Sequence, residues 1–232
     1  MLLENPLYGK KITLNGDSIC EGAGNSGGYG LIIAERNNMI YQNVGVSGGT
    51  ITAEVVRKKG GFRHSVARTV SKMDADADYA ILEGGVNDAS LYSDDGYPLV
   101  VGKITEGYTE PLDDTTYCGA FESMLKELII RFAGKKYGYI AVHKMTSHFS
   151  ADYEGEDNFY LIAKKCCEKW GVPFLDLCIS CPPFAYFKND KDSELYKELC
   201  QKYTHNGDGW HPNKEGYEKY YCDKIEAWLK TL

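Results

Sequence analysis

The 232-residue chain lacks any apolar run close to the ~20 residues a helix needs to cross a bilayer. Its first residues, Met1-Leu2-Leu3-Glu4-Asn5-Pro6, lack the basic stretch and apolar core of a signal peptide, so a soluble, cytoplasmic protein with no stable membrane anchoring is expected. Excess positive charge is missing too. With 26 Lys and Arg against 33 Asp and Glu, the net charge is -7 at pH 7, and no nucleic-acid partner is expected, because phosphate backbones reward clustered Lys and Arg. Cysteine is present but unpatterned: Cys20, Cys118, Cys166, Cys167, Cys178, Cys181, Cys200 and Cys222 are scattered, and most are expected to be reduced and buried. Cys178-Ile179-Ser180-Cys181 has CxxC spacing, yet no second CxxC or close His pair completes four ligands, and no metal is expected. Internal repeats, low-complexity tracts and linkers are also missing, which leaves one domain over residues 1–232.

What is there reads as an α/β protein. Hydrophobic residues make up 43% and charged residues 25%, enough to bury a core. Short apolar runs at 11–15, 39–44, 79–82, 137–142 and 172–177 alternate with helical patterns, the signature of βα units around a five-stranded parallel sheet. Phe121, Met124, Leu125, Leu128, Ile129 and Phe132 share one face of a helix over 117–132. A second helix covers 158–170 and stops at Gly171. The last begins near Pro212, with Tyr217, Tyr221, Ile225 and Trp228 on one face. Residues 89–116 and 179–189 read as loops. The basic residues Arg57, Lys58, Lys59, Arg63, His64 and Arg68 read as a solvated helix face.

In a parallel sheet the turns at the C-terminal ends of the strands gather along one edge, where open α/β sheets bind ligands. That edge collects Gly16-Asp17-Ser18, the turn Gly45-Val46-Ser47-Gly48-Gly49-Thr50 and Gly84-Gly85-Val86-Asn87-Asp88. A serine hydroxyl becomes a nucleophile when a base takes its proton and a carboxylate fixes that base. Among His64, His143, His148, His205 and His211, the last follows Asp208 by three residues, in Asp208-Gly209-Trp210-His211-Pro212-Asn213 at the mouth of the last helix. His143 and His148 read as structural or surface residues. Asp17 and Asp88 read as residues that tie down turns or cap helices.

Four separated blocks, in order, resemble the SGNH hydrolase (GDSL esterase/lipase) superfamily: Gly16-Asp17-Ser18-Ile19, residues 43–50, Gly85-Val86-Asn87-Asp88 and Asp208 to His211. The resemblance implies a flavodoxin-like three-layer αβα sandwich and acyl transfer to water without a cofactor. It assigns Ser18 as nucleophile, His211 as general base and Asp208 as the carboxylate that orients it. The oxyanion donors would be the Ser18 N–H, the Gly48 N–H and the Asn87 amide, with Gly49 as the alternative to Gly48.

The expected partner is a small neutral ester with a short acyl chain, such as an O-acetyl group on a carbohydrate. A thioesterase, a lysophospholipase, or a glycan-binding module that keeps the fold are the alternatives. The sequence sets no oligomeric state. Residues 89–116 are expected near the active site, where Tyr92, Tyr97 and Tyr108 would face a sugar. The six acids Asp94, Asp95, Glu106, Glu110, Asp113 and Asp114, against Lys103, would there disfavour anionic substrates.

Overall fold

The computed structural model describes residues 5–23, 27–94, 97–189 and 193–232. In chain order the elements are β1 (Lys11–Asn15), α1 (Ser18–Glu21), α2 (Gly28–Asn37), β2 (Ile40–Asn43), a 3-10 segment (Ala67–Lys72), β3 (Tyr79–Glu83), α3 (Val86–Asp94) and α4 (Tyr117–Arg131). There follow β4 (Lys136–Ala141), α5 (Phe159–Trp170), β5 (Phe174–Asp176), α6 (Leu177–Ser180), α7 (Phe184–Asn189) and α8 (Glu194–Tyr203). After a 3-10 turn (His205–Gly207), α9 (Lys214–Tyr217), a π turn (Glu218–Cys222) and α10 (Asp223–Leu229) run on without a break.

All four strand pairings are parallel, in the order β2-β1-β3-β4-β5. This is the flavodoxin-like doubly wound order. Every residue of β3 is buried, as expected of a parallel strand covered on both faces. One covering layer holds α2 against α9 and the π turn; the other holds α4 beside α5 and the 3-10 segment. Chain connections leave the sheet in opposite directions from β1 and β3, so the crevice between their C-terminal ends is the switch point.

Local chemistry explains where the helices begin. Thr116 caps α4 by accepting from the Gly119 N–H at 3.2 Å. The fully buried Asn158 caps α5 by accepting from the Tyr160 and Leu161 N–H groups, at 3.1 and 3.2 Å, while its own amide donates to the Ser150 carbonyl at 2.7 Å. Gly171 ends α5 in the left-handed conformation at φ 65°.

Several sequence expectations need correction. Residues 89–94 belong to α3, so the irregular segment starts later, and Asp95 lies outside the described residues. Residues 177–180 and 184–189 are helical, and so are residues 194–203, where Tyr196, Leu199, Cys200 and Tyr203 recur on one face of α8. The basic stretch is no helix face: Arg57 and Gly61 close a turn, Val56 bridges Phe62, and helical geometry starts only at Ala67. The π turn inserts one residue into the last helix, so Leu229 takes the core position after Tyr217, Tyr221 and Ile225. Trp228 moves to the flank, over Gly138 of β4, where a side chain at residue 138 would collide with the indole.

All eight cysteines are buried and unpaired. Among the described residues no helix is long and apolar enough to cross a membrane, and no three His, Cys, Asp or Glu side chains gather as a metal site.

Candidate active site

Ser18 is the first residue of α1, directly after the turn that ends β1. Its Oγ lies 3.0 Å from His211 Nε2, and His211 Nδ1 lies 2.7 Å from Asp208 Oδ2. Burial pushes the Asp208 carboxyl up, but bonds from the His211 ring and from the His211 and Trp210 N–H groups outweigh it and hold the carboxyl below its ordinary value. An ionised carboxylate only accepts, so Nδ1 carries the imidazole proton and the Nε2 lone pair faces the Ser18 hydroxyl.

The turn carrying this pair is built by backbone geometry. Gly207 and Gly209 are left-handed, at φ 67° and 75°, and Asp208 Oδ1 accepts from the Trp210 and His211 N–H groups at 2.7 and 2.9 Å. One carboxylate therefore shapes the turn with one oxygen and orients the ring with the other. Beneath it, His143 is fully buried with Nδ1 2.5 Å from the Tyr221 hydroxyl, and burial lowers its pKa to about 3. It is a neutral packing residue, as the sequence reading had it.

The nucleophile turn is anchored by acids. Asp17 Oδ1 accepts from the Ile19 N–H at 3.0 Å, and Glu83 Oε2 accepts from the Asp17 and Cys20 N–H groups at 3.2 and 3.1 Å. Both carboxyls are fully buried. Burial, with the Asp17 charge beside it, raises Glu83 well above its ordinary value, and burial raises Asp17 to about 6. Gly16 is what lets Glu83 approach: a Cβ there would lie 2.6 Å from Glu83 Oε2. Asp88, also buried and raised to about 6, accepts from the Ile51 and Thr52 N–H groups at 2.9 Å and so ties the glycine turn to α3.

Opposite Ser18, Gly48 sits at φ 73°, a conformation that favours glycine, and Arg63 Nη1 holds its carbonyl at 2.9 Å. Among the described residues neither the Ser18 N–H nor the Gly48 N–H has a hydrogen-bond acceptor. The Asn87 amide differs: Nδ2 donates to Asp17 Oδ2 at 3.1 Å and to the Gly49 carbonyl at 2.9 Å. To donate to a new anion, it must exchange one of these bonds.

Ser18, Gly48, Asn87 and His211 line one cleft of about 430 Å³, together with Ala23, Ser47, Val86, Met145 and Trp210. All five residues named from the sequence except Asp208, which stands behind His211, face this space. Met145 and Trp210 were missed for want of any local signal, whereas Glu83 had one: an acid at the end of an apolar strand. No residue of the segment 97–116 lines the cleft. Tyr97 packs beside Val55 and Leu91, and Tyr108 meets Trp170 at the far end of α5 with ring centroids 5.3 Å apart. Asp114 pairs with Arg68 at 2.7 Å. The expected negative overhang above Ser18, and with it the argument for neutral substrates, loses its basis.

A family model of the GDSL-like Lipase/Acylhydrolase family matches residues 14–219. The chain belongs to this family. Its GDSL-like fold, a five-stranded parallel sheet between helical layers, and its class, a hydrolase of ester bonds, follow from that membership. Solved structures with the same fold include a protein from Lactobacillus plantarum, at 19% identity and TM-score 0.67 over 97% of each chain. Another is a lipase/acylhydrolase from Enterococcus faecalis, at 19% identity and TM-score 0.54 over 96% of each chain. A third is the acetyl xylan esterase AlAXEase, at 15% identity and TM-score 0.56 over 96% of this chain and 100% of that one. A comparison with curated proteins found no match.

Proposed function

We propose that this GDSL-like hydrolase cleaves small carboxylic esters with short acyl chains, such as O-acetyl groups on carbohydrate, through Ser18, His211 and Asp208. The observation that carries the reading is the continuous relay from Ser18 Oγ to His211 Nε2 at 3.0 Å and from His211 Nδ1 to Asp208 Oδ2 at 2.7 Å, beside two backbone N–H groups that have no acceptor among the described residues. Ser18 Oγ attacks the carbonyl carbon as His211 Nε2 takes its proton. The oxyanion accepts from the Ser18 and Gly48 N–H groups and from the Asn87 amide, which leaves Asp17 or Gly49 as charge develops. Each such donor is worth roughly 3 kcal/mol in the transition state. His211 then protonates the departing alcohol, and a water activated by the same ring hydrolyses the acyl-enzyme.

The apolar lining of the cleft suits an acyl group, which would rest between Ala23, Val86 and Met145. The fold shared with an acetyl xylan esterase is compatible with acetylated sugar as one such ester. The test is hydrolysis of p-nitrophenyl acetate, with Ser18 labelled by a fluorophosphonate and Ser18→Ala losing most of the activity. An inactive, unlabelled wild type would instead favour a binding module. In a series of acyl lengths, activity confined to long chains would favour a lysophospholipase.

A further inference from the structure

A second cavity, of about 330 Å³, adjoins the cleft and shares Met145 and Trp210 with it as a common wall. Its remaining lining is Ala185 together with the polar residues Thr146, Ser147, Tyr186 and Lys188. Two of these side chains are under-used by the protein itself. Thr146 is 6% exposed, and its buried hydroxyl has no hydrogen-bond partner. That oxygen is closed off from the cavity space, so Thr146 shapes the wall of the cavity and the polar groups open to it come from its neighbours. The Lys188 ammonium lies 5.6 Å from the centre of the Trp210 ring, and among the described residues no carboxylate pairs with it. The neighbouring Lys144, by contrast, is paired with Asp152.

We infer that this cavity is the subsite for the alcohol half of the ester, and that it takes a sugar residue carrying a carboxylate. The inference rests on the ester-hydrolase reading above. A carbonyl held at Ser18 places the acyl group in the cleft, and the leaving oxygen must face His211, the residue next to Trp210. An alcohol that extends past Trp210 enters the second cavity. There the exposed Ser147 hydroxyl meets a sugar hydroxyl, and the exposed Lys188 supplies the positive charge for a carboxylate. The indole between the two spaces gives a flat apolar surface for the ring. Position 210 thus links catalysis to selection, since the same turn that presents His211 also presents the indole.

The experiment compares three substrates: p-nitrophenyl acetate, an acetylated xylo-oligosaccharide and an acetylated uronate oligosaccharide. Wild-type kcat/KM is expected to be higher for the acidic than for the neutral oligosaccharide. That ratio should fall about tenfold in Lys188→Gln, mostly through KM, as expected when one charge-assisted contact is lost. It should survive in Lys188→Arg and shrink at high salt. Equal kcat/KM for the two oligosaccharides, an unchanged ratio in Lys188→Gln, or activity on p-nitrophenyl acetate alone would overturn the subsite. No hydrolysis of p-nitrophenyl acetate would instead overturn the esterase reading beneath it.

Discussion

Asp208 carries two tasks on two oxygens, and they can be separated. Asp208→Asn leaves a carbonyl oxygen to accept from the Trp210 and His211 N–H groups, but its amide donates to His211 Nδ1 and forces the wrong tautomer. The chain should fold while kcat falls roughly 10³- to 10⁴-fold, measured by steady-state hydrolysis of p-nitrophenyl acetate alongside circular dichroism. Glu83 invites a different comparison. If it is held as the neutral acid beside Asp17, Gln can replace it, accepting from the Asp17 and Cys20 N–H groups and donating toward Asp17. Glu83→Gln should therefore keep most of the activity. Glu83→Ala, which strands two buried N–H groups and opens a void behind Ser18, should cost about 2–4 kcal/mol of stability and slow fluorophosphonate labelling. Equal losses in the two variants would contradict a neutral Glu83.

At the scale of elements, the capping residues decide where the helices beside the site begin. Asn158 satisfies two orphan N–H groups of α5 and donates to the loop that precedes it, all without exposure to water. Asn158→Ala is expected to lower stability by about 2–3 kcal/mol in urea unfolding, more than an exposed cap, because its partners stay buried. The α4 and α5 patterns were legible from sequence because a 3.6-residue apolar period and a terminal glycine are local signals. The π turn at 218–222 was not. Its extra residue serves the packing of Tyr217 against Tyr29 and of Trp228 over Gly138, contacts made with strands and helices remote in sequence. Nor could α1 be read as a single turn, too short to contribute much of a helix dipole, whose service to the site is the unpaired Ser18 N–H.

For the whole molecule, burying acids behind the active edge has a cost that depends on pH. Asp88 ionises near its ordinary value when unfolded and near about 6 when folded. Its contribution to stability is therefore fully present below the unfolded pKa and is lost as pH rises through the folded one. Asp88→Asn removes this linkage. Relative to wild type, the variant should gain on the order of 3 kcal/mol as pH rises from about 4 to 7 and level off above that. Urea midpoints at a series of pH values measure this, and a constant difference between the two proteins would refute it.

Four short blocks and two periodicities in the chain were enough to determine the parallel sheet, the edge where its turns gather and the residues that meet there. Those signals are local: turn chemistry, strand alternation, helix period and the Asp208-to-His211 spacing. Only the tertiary structure decided what surrounds that edge. Residues 89–116 were expected near the active site because they follow the Asn87 block, but the side chains of 97–116 found better partners along α5 and near Val55, away from the cleft. Trp210 and Met145 took that place, with Lys188 of α7 beyond them in the second cavity, because the turn before α9, the chain between β4 and α5 and helix α7 converge there. No residue-by-residue pattern carries that convergence; it arises from packing helices onto both faces of one sheet.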